Sequence, residues 1–154
     1  MNWAVTAGGG TVASATSVTD ANGNATIVWT LGTTVGTDSL TASIAGGADA
    51  IITATATAAA ASAVHVTSAD TLTVAAGATT APLVVKVVDQ FGNPISGATV
   101  TWSVAGGGTL SVTSSTTDAT GSTQVTLTTG AAGTYTVTAK SGTLTAVTFT
   151  IIAT

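Results

Sequence analysis

The sequence predicts an all-β protein made of two related β-sandwich units, the first of which lacks its two N-terminal strands. Three observations support this prediction. Apolar side chains alternate with a period of two, helix signals are nearly absent, and an internal repeat recurs at a little under 100 residues. The 154 residues are enough for one large domain or two small ones.

Strand patterns are clearest in the second half of the chain. Four runs either alternate apolar residues with Thr and Ser or are rich in β-branched residues, namely 83–88, 98–104, 123–127 and 135–139. The last run, Leu144 to Ile152, changes phase near Ala146 and Val147, which indicates a β-bulge. Short strands separated by turn-forming residues favour a sandwich or a barrel.

The alanines from Ala58 to Ala61 are the one segment with helix-forming residues in a row. Four alanines without capping residues are too short to form a stable helix. We interpret them as the junction between two units, which sets the expected boundaries at residues 1–60 and 61–154.

The internal repeat relates residues 3–31 to residues 102–127. The matched positions are Trp3 with Trp102, Gly8 to Gly10 with Gly106 to Gly108, Asp20 with Asp118, Gly23 with Gly121, Ile27 with Val125, and Trp29 with Leu127. One complete unit is therefore close to the usual length of a seven-stranded sandwich.

Composition excludes several classes of function. The chain has eight charged residues, no Cys, no Glu and no Arg. Two lysines cannot form the basic surface that nucleic-acid binding requires, so we expect no nucleic-acid partner. No apolar run approaches the length of a membrane helix, so we expect no membrane insertion. A weakly charged, threonine-rich surface favours a location outside the cell.

Two segments of the second unit resemble a known family, namely VVDQFGNPISGATVTWSVAGGGTLS and, after it, TDATGSTQVTLTTGAAGTYTVTA. These segments resemble the bacterial Ig-like repeats of the invasin/intimin type, and TDANGNATIVWTLGTTVGTDSLTA has the same pattern in the first unit. The resemblance implies tandem immunoglobulin-like β-sandwiches in an extended rod. It also implies a stalk module of a bacterial surface or secreted protein.

The first unit departs from this pattern. About 39 residues of the second unit precede Trp102, whereas Met1 and Asn2 alone precede Trp3. The missing part includes the counterpart of Leu83 to Val88. Six inward side chains at roughly 1.5–3 kcal/mol each amount to about 10 kcal/mol of lost burial, as much as the whole stability of a typical domain.

Two explanations of this gap remain open. The chain is either a piece of a longer repeat protein cut at an arbitrary point, or the gap is an acceptor groove filled by strands of a neighbouring copy. In the second case a head-to-tail contact would generate a fibre, and Ile27, Trp29 and Leu40 would form the inter-subunit groove.

Two motifs are candidates for chemistry. Asp20 to Asn24 resembles the first half of a calcium loop, but no Glu exists to complete it, and the Asn-Gly pair favours a hairpin turn. Ser62, His65 and Asp70 could supply a catalytic triad, yet no nucleophile-elbow motif accompanies them. We therefore expect no catalytic residue, no metal site, no cofactor and no enzymatic activity.

Aromatic and hydroxyl side chains suggest binding as an alternative. Trp3 and Trp102 are expected in the core, and Trp29 in the core or partly exposed, although tryptophans can also stack on sugars. Tyr135 is a candidate for a tyrosine corner, with Asp38 as its counterpart in the first unit. Thr53, Thr55 and Thr57 form a hydroxyl ladder that suits a solvated strand face, ice, polysaccharide or O-glycans; we favour the solvated face.

Together these patterns predict a structural repeat module of a bacterial extracellular stalk, adhesin or fibre. Its expected partners are other copies of the chain or adjacent Ig-like repeats. The alternative is a carbohydrate- or surface-binding Ig-like module whose ligand is a polysaccharide or a host-cell surface.

Overall fold

The computed structural model describes all of residues 1–154 and confirms the all-β prediction, with fifteen strands and no helix. Since the structure has no helix, it has none with the length and hydropathy needed to cross a membrane. The chain divides into two compact units, Met1–Ala58 and Ala59–Thr154.

The strands are numbered in chain order. The first unit contains β1 (Asn2–Ala7), β2 (Thr11–Val12), β3 (Trp29–Thr30), β4 (Gly36–Ser43) and β5 (Ala50–Ala56). The second unit contains β6 (Ala61–Val66), β7 (Thr71–Val74), β8 (Leu83–Asp89), β9 (Thr99–Ala105), β10 (Thr109–Leu110), β11 (Ser114–Thr116), β12 (Ser122–Val125), β13 (Leu127–Thr128), β14 (Gly133–Lys140) and β15 (Val147–Ala153).

The second unit is a β-sandwich. A five-stranded sheet, β11-β9-β14-β15-β7, lies over a three-stranded sheet, β12-β8-β6, and one apolar core draws on both. Leu83, Val85 and Val87 of β8 are completely buried in that core, as are Phe149 and the neighbouring side chains of β14. The alternating pattern therefore places one row of each strand in the core, as the sequence predicts.

The predicted bulge in the last run is wrong. Leu144 lies in a turn, where its N–H donates to the carbonyl of Ser141 at 3.0 Å, and β15 begins at Val147. The pairing of β14 with β15 runs without a shift to the end of β15. The change of phase marks the entry into a strand, because side chains in the turn follow no two-residue period.

The N-terminal segment of the second unit serves both sheets. Strand β6 pairs antiparallel with β8, whereas β7 crosses to the other sheet and pairs in parallel with β15. The Thr154 N–H donates to the Val74 carbonyl at 3.0 Å, and the Ala76 N–H donates to the Thr154 carbonyl at 2.9 Å. These bonds join the beginning of the unit directly to its end.

The first unit repeats part of this architecture. Its sheet β1-β4-β5 matches β9-β14-β15, and its ribbon β2-β3 matches β10-β13. No strand of the first unit corresponds to β6, β7 or β8. The core is correspondingly small, with Trp3, Leu40 and Ala42 buried and six partly buried side chains packed around them.

Strand pairing identifies which side chains of the first unit are more exposed than their counterparts in the second unit. Leu40 of β4 lies opposite Ile52 of β5, as Val137 of β14 lies opposite Phe149 of β15. Ile52 is 43 % exposed, whereas Phe149 is 0 % exposed. The inner face of β5 is therefore open at the position where the second unit has its largest fully buried side chain.

Three turns share one sequence motif, D-x-x-G followed by Asn or Ser, in which the aspartate side chain bonds to the backbone of the turn. Each aspartate, Asp20, Asp89 and Asp118, accepts hydrogen bonds at one carboxylate oxygen from the backbone N–H groups two and four residues later. The glycine has positive φ in every case, for example 86° at Gly92. Asp and Gly are thus required by the turn itself.

Asp89 is the most enclosed of the three. Its second carboxylate oxygen accepts from the Asn93 side chain at 2.8 Å and from the Ala59 backbone at 2.9 Å. Burial by itself raises the pKa of Asp89. The hydrogen bonds from Asn93, Ala59 and Phe91 outweigh burial and lower the pKa from 3.8 to about 2.

The open inner face makes a testable prediction. Phe149→Ala should lower the free energy of unfolding of the second unit by about 3–5 kcal/mol, because it leaves a cavity in a closed core. Ile52→Ala should cost the first unit only about 1 kcal/mol or less, because water already reaches that side chain. Amide hydrogen exchange of the full chain measures both, and equal losses would contradict an open β5 face.

A second prediction concerns acid. The pKa of Asp89 is lower in the folded state than in the unfolded state. Its contribution to the free energy of unfolding is therefore fully present above about pH 3.8 and is lost as the pH falls toward 2. The free energy of unfolding of the second unit should therefore fall over this range, and less steeply in Asp89→Asn. Asp118, whose pKa is also lowered by hydrogen bonds from Thr120 and Ser122, leaves a residual slope in that variant.

Urea denaturation at several pH values provides this measurement. Asp49→Asn is the matched control, since Asp49 is exposed on the first unit. If the free energy of unfolding of Asp89→Asn falls with pH as steeply as that of the natural chain, the lowered pKa of Asp89 does not stabilise the second unit.

Candidate functional site

Both units keep the same tryptophan contact. The indole Nε1 of Trp3 donates to the Ser17 hydroxyl, and that of Trp102 donates to the Ser115 hydroxyl, each at 2.8 Å. Both rings are buried, which confirms the prediction that they belong to the core. A buried ring whose N–H is already bonded offers no face on which a sugar could stack.

The predicted tyrosine corner is present in the second unit. The Tyr135 hydroxyl donates to the Ala131 carbonyl at 2.7 Å and accepts from the Gly130 N–H at 3.0 Å. In the first unit the buried carboxylate of Asp38 accepts from the Gly32 N–H at 2.6 Å. Two different side chains therefore satisfy the equivalent backbone donor.

The candidate triad does not come together. The side chains of Ser62, His65 and Asp70 are all exposed. The Asp70 carboxylate accepts instead from the Thr71 hydroxyl at 3.3 Å. No hydrogen-bonded path links a serine to the histidine, so the arrangement lacks the activated nucleophile that such catalysis uses.

The calcium-like loop at Asp20 is a turn. One carboxylate oxygen accepts from the N–H groups of Asn22 and Asn24, each at 2.9 Å. The backbone bond from Asn24 is the largest influence on the pKa of Asp20 and lowers it. The structure contains no group of three His, Cys, Asp or Glu side chains placed to hold a metal ion.

Other surface features are polar and open. Thr53 and Thr55 are exposed on β5, and Thr57 follows the end of that strand. A depression of about 310 Å³ in the second unit is lined by Val84, Asp118, Ser122, Thr123 and Gln124. Asp118 is the one charged residue of this lining, and one of its carboxylate oxygens accepts three hydrogen bonds from Thr120 and Ser122 of its own turn.

The first unit has an unpaired strand edge. In the second unit, residues 123–125 pair with β8. The matching residues 25–27 form no strand, and their backbone N–H and C=O groups make no hydrogen bond in the structure. Free backbone groups in an extended segment are a template for the addition of another strand.

Two equivalent glycines show how much space the missing strand leaves. The Val87 N–H donates to the Gly121 carbonyl at 2.9 Å, and a Cβ added at Gly121 would lie 2.7 Å from the Val87 carbonyl oxygen. Gly23 has a similar positive φ, but a Cβ added there would have nothing within 4 Å. The β8 position is therefore filled in the second unit and empty in the first.

The three predicted groove residues differ in their surroundings. Leu40 is 1 % exposed with no second chain present, so it lies beneath the surface of its own unit. Ile27 and Trp29 are partly buried against the small core, and the indole N–H of Trp29 is buried without a hydrogen-bond partner. The inter-subunit groove at these residues stays a prediction.

The open surface includes positions that the sequence analysis missed. Ile52 and Ala54 of β5 occupy the places of Phe149 and Ile151, both completely buried in the second unit. The residues matched between the two units in the sequence end at Asp38 and Tyr135. Extending the match through β4 and β5 would have paired Ile52 with Phe149 and indicated the open face.

Comparisons with known proteins agree with this architecture. The family model "Bacterial Ig-like domain (group 1)" matches residues 63–152. FdeC, an Escherichia coli adhesin, has a structure that is 28 % identical, with a TM-score of 0.64 over 99 % of this chain and 52 % of its own. The chain thus spans about half the length of the FdeC structure.

Other solved structures are similar at lower identity. The D0-D1 domains of intimin are 21 % identical with a TM-score of 0.46, covering 97 % of this chain and 76 % of theirs. A glycosyl hydrolase family 2 member from Bacteroides cellulosilyticus is 20 % identical with a TM-score of 0.53, covering 84 % of this chain and 18 % of its own.

No curated protein matches the chain. The family model nevertheless covers more than half of it, including almost all of the second sandwich. The chain therefore belongs to the family of bacterial Ig-like domains of group 1.

Proposed function

We propose that the chain is a structural repeat module of a bacterial extracellular stalk, adhesin or fibre. The family membership and the similarity to the FdeC adhesin support this role. A carbohydrate-binding module would present a group of exposed aromatic rings, whereas Trp3 and Trp102 are buried and Phe91 is the one exposed aromatic side chain, which favours the structural role. The low charge and the hydroxyl-rich strand faces favour a location at the cell surface.

The parallel pairing of β7 with β15 is the observation that supports this proposal most directly. It joins Thr71–Val74 to Thr150–Ala153, close to the two ends of the second unit. A force on the two ends of the unit reaches β7 through β6, which pairs with β8, and it then acts along β7 and β15, so that it loads the hydrogen bonds of this ladder together in shear. A module with this connection resists extension, which is what a stalk requires of each repeat.

The first unit has no such connection. Strand β5, the counterpart of β15, pairs with β4 alone and leaves its other edge free. We propose that strands from a neighbouring polypeptide complete this unit, contributed by another copy or by an adjacent Ig-like repeat. Free sheet edges and an uncovered apolar face are the features that strand addition uses.

Single-molecule force measurements on the full chain test the mechanical role. Unfolding of the 96-residue second unit should release roughly 300 Å of chain at about 3.5 Å per residue. It should require a higher force than extension of the first unit. Ala76→Pro removes the N–H that bonds to Thr154 and should lower the unfolding force of the second unit.

Ala119→Pro is the matched control. Ala119 is exposed at the second position of the Asp118 turn, where proline is well tolerated. If the two variants unfold at the same force as the natural chain, the β7–β15 pairing does not carry the load and the proposed mechanism fails.

A further inference from the structure

We infer that the turn at Asp89 fixes the linker between successive Ig-like units, because its carboxylate bonds the Ala59 backbone to the body of the second unit. The linker consists of residues 57–60, between the end of β5 and the start of β6. This inference rests on the proposed role as a repeat module of a stalk. It assigns Asp89 as the positioning residue of the junction between two repeats.

Comparison of the three aspartate turns separates this contact from the turn itself. Every donor to Asp20 and to Asp118 lies within four residues of the aspartate. Asp89 accepts the same two backbone bonds of the turn and, in addition, one bond from the Ala59 N–H, thirty residues earlier in the chain. The turn motif does not need this bond, since the other two turns form without it.

The two carboxylate oxygens of Asp89 have different partners. One accepts from the N–H groups of Phe91 and Asn93, each at 2.9 Å, and forms the turn. The other accepts from the Asn93 side chain at 2.8 Å and from the Ala59 N–H at 2.9 Å. Asp89 and Asn93 are both buried, so the low dielectric of their surroundings strengthens these bonds. A charged acceptor strengthens them further.

Side-chain packing contributes little to the order of the linker. Ala59 and Ala60 are exposed and belong to no hydrophobic core. Antiparallel pairing with β8 begins only at Ala61, which lies opposite Asp89. The bond from Ala59 therefore extends the ordered part of the second unit by two residues toward the N-terminus. Only residues 57–58 remain between β5 and this fixed segment.

A complete unit also fixes the chain on the other side of such a junction. Strand register makes Ala56 at the end of β5 the counterpart of Ala153 at the end of β15. The next residue, Thr154, bonds through its N–H and its carbonyl to the end of β7 and the segment after it. Where a unit with the same linker follows a complete one, a single residue, the counterpart of Ala58, separates the two fixed points. A junction with one free residue restricts bending, as a stalk requires.

NMR relaxation of the backbone amides in the full 154-residue chain at neutral pH tests this inference. In the natural chain the order parameter of the Ala59 amide should be close to the value of about 0.85 that is typical of a rigid backbone. Asp89→Asn should lower it below about 0.6, the range of flexible segments. The asparagine oxygen can still form the turn, whereas its amide group cannot accept a hydrogen bond from Ala59.

Asp118→Asn is the matched control, because it makes the same change in the same turn motif without a bond to the linker. It should leave the order parameter of the Ala59 amide unchanged. Amide hydrogen exchange of Val85 and Val87, which lie in β8 with completely buried side chains, shows that the second unit of each variant is folded.

A second pair of variants covers the case in which Asp89→Asn does not fold. Ala59→Pro removes the donor and leaves Asp89 intact. Ala58→Pro introduces the same ring one residue earlier and keeps the Ala59 N–H. The order parameter of the Ala60 amide should fall in the first variant and stay unchanged in the second.

Three outcomes would overturn the inference. The first is an Ala59 order parameter below about 0.6 in the natural chain. The second is the same Ala59 order parameter in Asp89→Asn as in the natural chain, and the third is an equal change at Ala60 in the two proline variants. The force measurement depends on β7 and β15, so the mechanical proposal can fail while this inference holds, and the reverse.

Discussion

The central strand β8 is the element on which the closed sandwich depends. It bonds to β6 and β12 at its two edges and places three completely buried side chains against the opposite sheet. A sheet with one apolar face is stable only when another layer covers that face. The second unit meets this condition within itself, and the first unit has the matching face without the matching layer.

Two polar contacts of the core occur in both units in spite of this difference, although the indole N–H of Trp29 in the first unit is buried without a partner. Each buried tryptophan that begins the repeat bonds to a serine of the following segment. Tyr135 and Asp38 differ in charge and size, yet both accept from the equivalent glycine N–H. Leaving such a buried donor unpaired would cost about 1–3 kcal/mol. This cost explains why the contacts persist while the apolar side chains around them change.

Most of the second unit could be predicted from its sequence because its strands alternate with a strict period of two. Residues 98–104 became β9 for that reason. The prediction failed at Leu144, where a turn has no period of its own and its apolar residue mimics the start of a strand. Alternation marks which residues face inward, but it does not show whether a strand begins before or after a turn.

The open surface of the first unit was harder to predict, because burial depends on what lies opposite. The sequence indicated a gap and identified Ile27 and Trp29, which border it. It also indicated Leu40, which its own unit covers. Ile52 is an aliphatic residue like those that face the core of a sandwich. Only comparison with Phe149 at the equivalent position shows that no opposite sheet packs on Ile52.

Closure of the core and resistance to force are separate properties of this architecture. Strand β8 supplies the core layer, while β7 supplies the parallel ladder that joins the two ends of the second unit. A strand of the β8 pattern on residues 25–27 would cover Ile52 without giving β5 a second partner. The first unit would then become stable against unfolding in solution while remaining weak under tension. Only a further strand along the free edge of β5 would make the two units mechanically equivalent.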